Sequence, residues 1–161
     1  MRNLRLRGRN KKVNELATVA LFDNVPRRVL DVIAANVDEV QVEPGQTLIE
    51  EGHRNDAFWI VMEGEAEMTI GDTKHRTIGP HHFFGATSML DGKPAVATVV
   101  SKTPIRAYVA SAQQFRALEG NEIIALRLLH YALERMREDL EAHTAPKPVA
   151  RTSKARGAKS Q

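Results

Sequence analysis

Residues 77–100 read TIGPHHFFGATSMLDGKPAVATVV. The segment leaves a short strand-like run at 76–78 through the turn pair Gly79-Pro80 and re-enters one at 97–100. Between them stand Gly85, where a backbone can close on an anion, the turn pair Asp91-Gly92, and Pro94. The stretch has the shape of a phosphate-binding segment without its charges, because Ala86 and Ala95 carry no side-chain polar group.

The same punctuation continues on both sides. Val40 and Val42 alternate with polar neighbours, and apolar runs follow at 47–49, 57–62, 66–70 and 105–109. They are cut by Pro44-Gly45, Gly52, Glu63-Gly64, Gly71-Asp72 and residues 102–104. Short strands with turn signals every eight to twelve positions predict an antiparallel sandwich or jelly roll.

Helical periodicity brackets this β body. Val13, Leu16, Ala17, Val19, Ala20 and Leu21 predict a helix over 12–22, and Pro26 opens a second with Val29, Leu30, Ile33, Ala34 and Val37 on one face. Ser111 is the predicted N-cap of a short helix over 112–118, closed by Gly120. A longer helix is expected over 121–143. In it Leu126, Leu129, Leu133, Met136 and Leu140 recur at three, four, three, four, an a/d seam suited to a second copy of the chain. Ile123, Ile124, Leu128 and Tyr131 lie off that seam, where they can cover the domain itself. The fold class is therefore mainly β with flanking helices: an antiparallel double-stranded β-helix, jelly-roll-like, with N-terminal helices and a long C-terminal helix.

A chain of 161 residues suits one domain. With no cysteine it has no disulfide and no thiolate metal site, and no apolar run approaches the ~18 residues of a membrane span. The net charge of +3 is uneven. Residues 1–12 hold six bases and no acid, residues 144–161 hold five bases and no acid, and the part between carries −8. This pattern predicts a basic disordered arm at 1–11, a domain at 12–143 that includes the C-terminal helix, and a basic disordered tail at 144–161. Such arms suit nonspecific nucleic acid or another anionic partner.

Four pieces in order carry a resemblance to a known family: VEPGQTLIEEG at 42–52, DAFWIVMEGEAEM at 56–68, the opening segment at 77–100, and SAQQFRAL at 111–118. Together they resemble the cyclic-nucleotide-binding domain family, the β-roll of catabolite-activator-type regulators and cyclic-nucleotide-dependent kinases, over about residues 16–140. The resemblance implies that the third piece is a phosphate-binding cassette: Phe84, Gly85, Ala86, Thr87 and Ser88 at its front, Ala95, Val96, Ala97 and Thr98 at its back. In such a cassette an acid after the glycine takes the ribose hydroxyl, and an arginine after the proline pairs with the phosphate. Here Ala86 and Ala95 stand at those two positions. A hydrogen bond to an ionised group is worth about 1.5–3 kcal/mol, so losing both contacts costs about two to four decades in affinity for cAMP or cGMP. Since both charges are absent together, no buried charge is left without a partner.

The expected function is a non-enzymatic, cytoplasmic regulatory or sensor module. Its cAMP or cGMP binding is weakened or lost, and it works as a homodimer on a protein partner. The alternative is a ligand-independent dimeric adaptor that holds nucleic acid or another anion through its basic arms. No helix-turn-helix follows the long helix in this sequence. No nucleophile-base set, phosphate-loop motif or paired-carboxylate spacing marks an enzyme. His53, His75, His81 and His82 lack metal-ligand spacing.

Overall fold

The computed structural model describes residues 2–144. The chain forms α1 (Arg2–Leu16), a one-turn 3-10 helix (Ala20–Phe22) and α2 (Arg27–Ala35). The strands β1 (Asp38–Val42), β2 (Thr47–Ile49), β3 (Ala57–Glu63), β4 (Ala66–Ile70), β5 (Thr73–Ile78) and β6 (Phe83–Phe84) follow. Then come α3 (Ala86–Asp91), β7 (Thr98–Ser101), β8 (Ile105–Ser111), α4 (Ala112–Glu119) and α5 (Glu122–Thr144).

The strands make two antiparallel four-stranded sheets, in the orders β1-β8-β3-β6 and β2-β7-β4-β5. The expected antiparallel roll with helices at both ends is the observed fold. Its interior holds Ile49, Val61, Ala66, Ile78, Phe84, Ala95, Val99, Ile105 and Ala107. A second core lies between the other face of the first sheet and the helices. There Phe58, Ile60, Met62, Tyr108 and Ala110 meet Val13, Leu16, Ile33, Phe115, Leu118, Ile124 and Leu128. The run AFWIVM is apolar throughout because β3 is covered on both sides. Phe58 is buried under the helices, and Trp59 packs toward the roll interior, stacked on Phe84 at 5.8 Å.

Two further expectations are corrected. The basic residues at 1–11 do not form a disordered arm; α1 begins at Arg2. Two of its bases reach α2 and the turn after it: Lys12 Nζ donates to the carbonyls of Ala34 at 3.2 Å and Val37 at 2.8 Å, and Arg9 Nε lies 3.3 Å from Asp31. Lys12 thus serves carbonyls at the end of α2, where helical partners run out. Nor does one helix run over 12–22. α1 stops at Leu16, where the Thr18 hydroxyl donates to the Glu15 carbonyl at 2.6 Å and competes with the helical ladder. The tail over 145–161 lies outside the described residues.

The end of the sheet feeds the last two helices as expected. Ser111 caps α4 in a capping box, its Oγ accepting from Gln114 N while Gln114 Oε1 accepts from Ser111 N. Asn121 Oδ1 accepts from Ile123 N at 3.1 Å and starts α5.

Candidate ligand cavity

β6 and α3 build one wall of the site. Phe83 and Phe84 alternate across β6. Phe83 turns out onto Phe58 and Tyr131, with centroids at 5.6 and 4.2 Å, and Phe84 turns in onto Trp59. Gly85 follows at φ +91°, a conformation that L side chains rarely adopt, and a Cβ there would sit 2.5 Å from the Ala57 carbonyl oxygen. The glycine is required twice, by the turn and by the close approach. α3 starts immediately after it, and no side chain caps its first turn.

Asn55 holds this wall in place. Its Nδ2 donates to the Gly85 carbonyl and to Ser88 Oγ, both at 3.0 Å, and its Oδ1 accepts from Ala57 N at 3.1 Å. The back of the segment is tied to the loop after β2. Gly52 N donates to the Ala95 carbonyl at 2.8 Å, and Ala95 N donates to the His53 carbonyl at 2.9 Å. Glu51 N donates to Thr98 Oγ1 at 3.0 Å.

These walls enclose a cavity of about 310 Å³. That is at the small end of the roughly 300–1,000 Å³ of small-molecule sites. Phe84, Gly85, Ala86, Thr87, Ser88, Ala95, Val96 and Ala97 all line it, as the sequence groups them. Thr98 does not; its hydroxyl is used by Glu51 N. Ala86 and Ala95 are both buried, so the two positions that lack charge lie in the wall and not at the rim. Lys93 does not replace the missing cation. It is exposed, it does not line the cavity, and its backbone N–H donates to Asp91 Oδ1.

The cavity has cations that the cassette pattern does not supply. Arg76 enters from β5 and Arg135 from α5. Arg135 lies over the Tyr131 ring, 4.8 Å from its centroid. Its Nε donates to the Tyr131 hydroxyl at 2.6 Å, Nη2 donates there too, and Nη1 meets Glu138 at 3.5 Å. Arg76 differs: its Nε and Nη1 are buried and make no hydrogen bond. Burial pushes the Tyr131 hydroxyl above its ordinary range, with the Arg76 charge acting in the opposite direction, which puts the two groups within electrostatic reach. A sequence signal for Arg76 exists. Ile78 points into the roll, and Arg76 lies two residues earlier on the same strand face.

α5 forms the remaining wall through Tyr131, Ala132, Arg135 and Met136. Ile124 and Leu128 are buried against the domain. The seam residues Leu126, Leu129, Leu133, Met136 and Leu140 are 54–71% exposed, and of these Met136 also borders the cavity. The histidines serve locally, His81 Nδ1 lying 2.7 Å from Thr18 Oγ1. Among the described residues no cluster of three metal-ligating side chains occurs.

The chain thus forms a double-sheet roll with a glycine-started helix in its cavity wall and a long helix beside it. The cyclic nucleotide-binding domain model matches residues 39–121, and the chain belongs to that family. It is 33% identical over 102 residues to a cAMP-dependent protein kinase regulatory subunit of Aspergillus fumigatus, a match covering 62% of this chain and 25% of that protein. The chain thus spans about a quarter of the length of that relative. Among solved structures it resembles cAMP-bound PfPKA-R, with a TM-score of 0.75 and 21% identity over 86% of this chain and 48% of that one. It also resembles PKAR CBD2 bound to Sp-2Cl-cAMPS, with a TM-score of 0.74 and 18% identity over 89% and 96% of the two chains. The structural likenesses establish the shared fold. Among the described residues no helix is long and apolar enough to cross a membrane.

Proposed function

We propose that this chain is a non-enzymatic regulatory module of the cyclic-nucleotide-binding type whose affinity for cAMP and cGMP is weakened or lost, and which acts on a protein partner as a homodimer. The observation that carries the reading is the pair Ala86 and Ala95, buried in the cavity wall at the acid and arginine positions of the cassette. The cavity and the close-packed Gly85 turn persist without those charges. A regulatory role goes with the relative's description as a kinase regulatory subunit, and a cytoplasmic location with the same likeness.

The homodimer reading rests on α5. Its c and f positions, Ile124, Leu128 and Tyr131, pack on its own domain, while five large apolar residues at a and d stay exposed. Ala125 and Ala132 occupy g positions beside this seam and set no charge against a second copy there.

The basic-arm alternative has less behind it. Arg9 and Lys12 bind within the domain, and the basic tail lies outside the described residues.

Calorimetry with cAMP and cGMP tests the ligand claim. The expected result is a Kd about two to four decades weaker than the micromolar range, or no heat at millimolar nucleotide. A submicromolar Kd contradicts the reading. Sedimentation of the full chain tests the dimer: a two-chain species is expected, with Leu129→Glu/Leu133→Glu sedimenting as a monomer.

A further inference from the structure

We infer that the cavity's own ligand is a small anion with an apolar or aromatic body and no ribose, held through its acid group by Arg76 of β5. This goes beyond weak nucleotide binding but rests on the ligand-sensing role of the same cavity.

The argument starts from charge. Among the described residues lining the cavity, Arg76 and Arg135 are cationic, and none is Asp or Glu. The rest of the wall is chiefly apolar, with Ile49, Met68, Ile70, Val96, Val99 and Met136. A positive cavity with an apolar wall selects an anion that carries an apolar body.

The second step is saturation. Arg135 is already engaged by the Tyr131 hydroxyl and by Glu138. Arg76 presents two buried N–H-bearing atoms with no acceptor. Buried polar groups are rarely left unpaired, and a buried guanidinium least of all. Each of these N–H groups can give a charge-assisted bond to a carboxylate or phosphate oxygen. Strand register fixes the direction: Arg76 pairs with Met68, and both line the cavity.

The third step concerns the sugar. The position that takes a ribose hydroxyl in the family's cassette is Ala86, whose side chain offers no acceptor.

The test uses benzoate and phenyl phosphate as probes, benzamide as the neutral isostere of benzoate, and cAMP. Titrations follow the full chain by calorimetry, with the Arg76 Nε–H resonance observed by NMR. At least one anion is expected to bind and to shift that resonance, with benzamide about tenfold weaker or worse. Arg76→Gln is expected to weaken the anion about ten- to a hundredfold, the worth of a charge-assisted contact. Which anion binds better tells carboxylate from phosphate. The wild-type resonance keeps the test open if the variant fails to fold. The inference is overturned if neither anion moves Arg76, if benzamide binds as well as benzoate, or if Arg76→Gln binds the anion unchanged. Tight cAMP binding by the wild type would contradict the weak-nucleotide reading, whatever benzoate does. Weak cAMP binding without anion binding overturns this inference alone.

Discussion

Tyr131 of α5 packs on Phe83 of β6 with ring centroids 4.2 Å apart and planes inclined at 49°. Phe83 precedes the cassette glycine by two residues, and its ring also touches Phe58 under the helical layer. One aromatic contact therefore ties the long helix to the strand that leads into the cavity wall. The strand that leads into α3 and the docking of α5 share this joint.

Tyr131→Ala should release the outer part of α5 before it affects the roll. Tyr131 is half-buried, so the loss is below that of a full core aromatic, about 1–3 kcal/mol in urea unfolding. Hydrogen exchange should quicken over residues 128–144 and stay unchanged in β3 and β8. Equal acceleration in all three would show that α5 is not a separate unit.

Arg106 of β8 binds Glu15 at 2.8 Å, Glu63 at 3.0 Å and Glu39 at 3.3 Å, joining α1 to two strands. Burial opposes its charge, but Glu15 and Glu63 outweigh this and raise its pKa further above the ordinary arginine range. The side chains of Arg106 and Glu15 are largely buried, so truncating the arginine leaves the Glu15 carboxylate with only the longer Lys11 contact at 3.7 Å. Arg106→Ala should cost about 2–4 kcal/mol. Adding Glu15→Gln should cost less than the sum of the two single changes. Additive costs would mean that the pair does not interact.

Gly85 and Gly92 both have positive φ, +91° and +68°, yet they should respond differently to alanine. At Gly92 nothing lies within 4 Å of the new Cβ, so Gly92→Ala costs only the left-handed conformation, about 1–2 kcal/mol. At Gly85 the Cβ would meet the Ala57 carbonyl at 2.5 Å and Asn55 Nδ2 at 3.1 Å. That clash separates the cassette from β3, so Gly85→Ala should lose several degrees more in Tm than Gly92→Ala. Equal losses would show that the wall yields without cost.

The difference between these two glycines also marks what the sequence discloses. The Gly85 turn, the Ser111 capping box and the α5 seam are local patterns, and their spacing alone locates them. Strand β6 is two residues long, too short to show a strand period in the sequence, and is defined by its pairing to Trp59 and Ile60. Asn55 reads as turn filler until the fold brings Gly85 within reach. The bases of α1 look like a solvated arm because their acceptors, Asp31 and the carbonyls of Ala34 and Val37, lie 22 or more residues away. Arg76 is hidden for a similar reason. In TKHRTI its place two residues before Ile78 gives its strand face, but the register with Met68 and the approach of α5 are what make that face a cavity wall.

Ala86 and Ala95 give the most direct test of the cassette backbone. Both line the cavity, so Ala86→Glu with Ala95→Arg supplies the acid and the fork together, with no change in net charge. If the Gly85 turn still presents the geometry that a cyclic phosphate needs, the double variant should gain about two to four decades in cAMP affinity. Ala86→Glu alone should bring no such gain and should lower stability, because it buries a carboxylate without the arginine. Ala95→Arg alone should gain part of the affinity and depend more steeply on salt. Calorimetry of the three variants separates these outcomes. A gain below about tenfold in the double variant would mean that the cavity has been reshaped around Arg76 and not merely stripped of two charges.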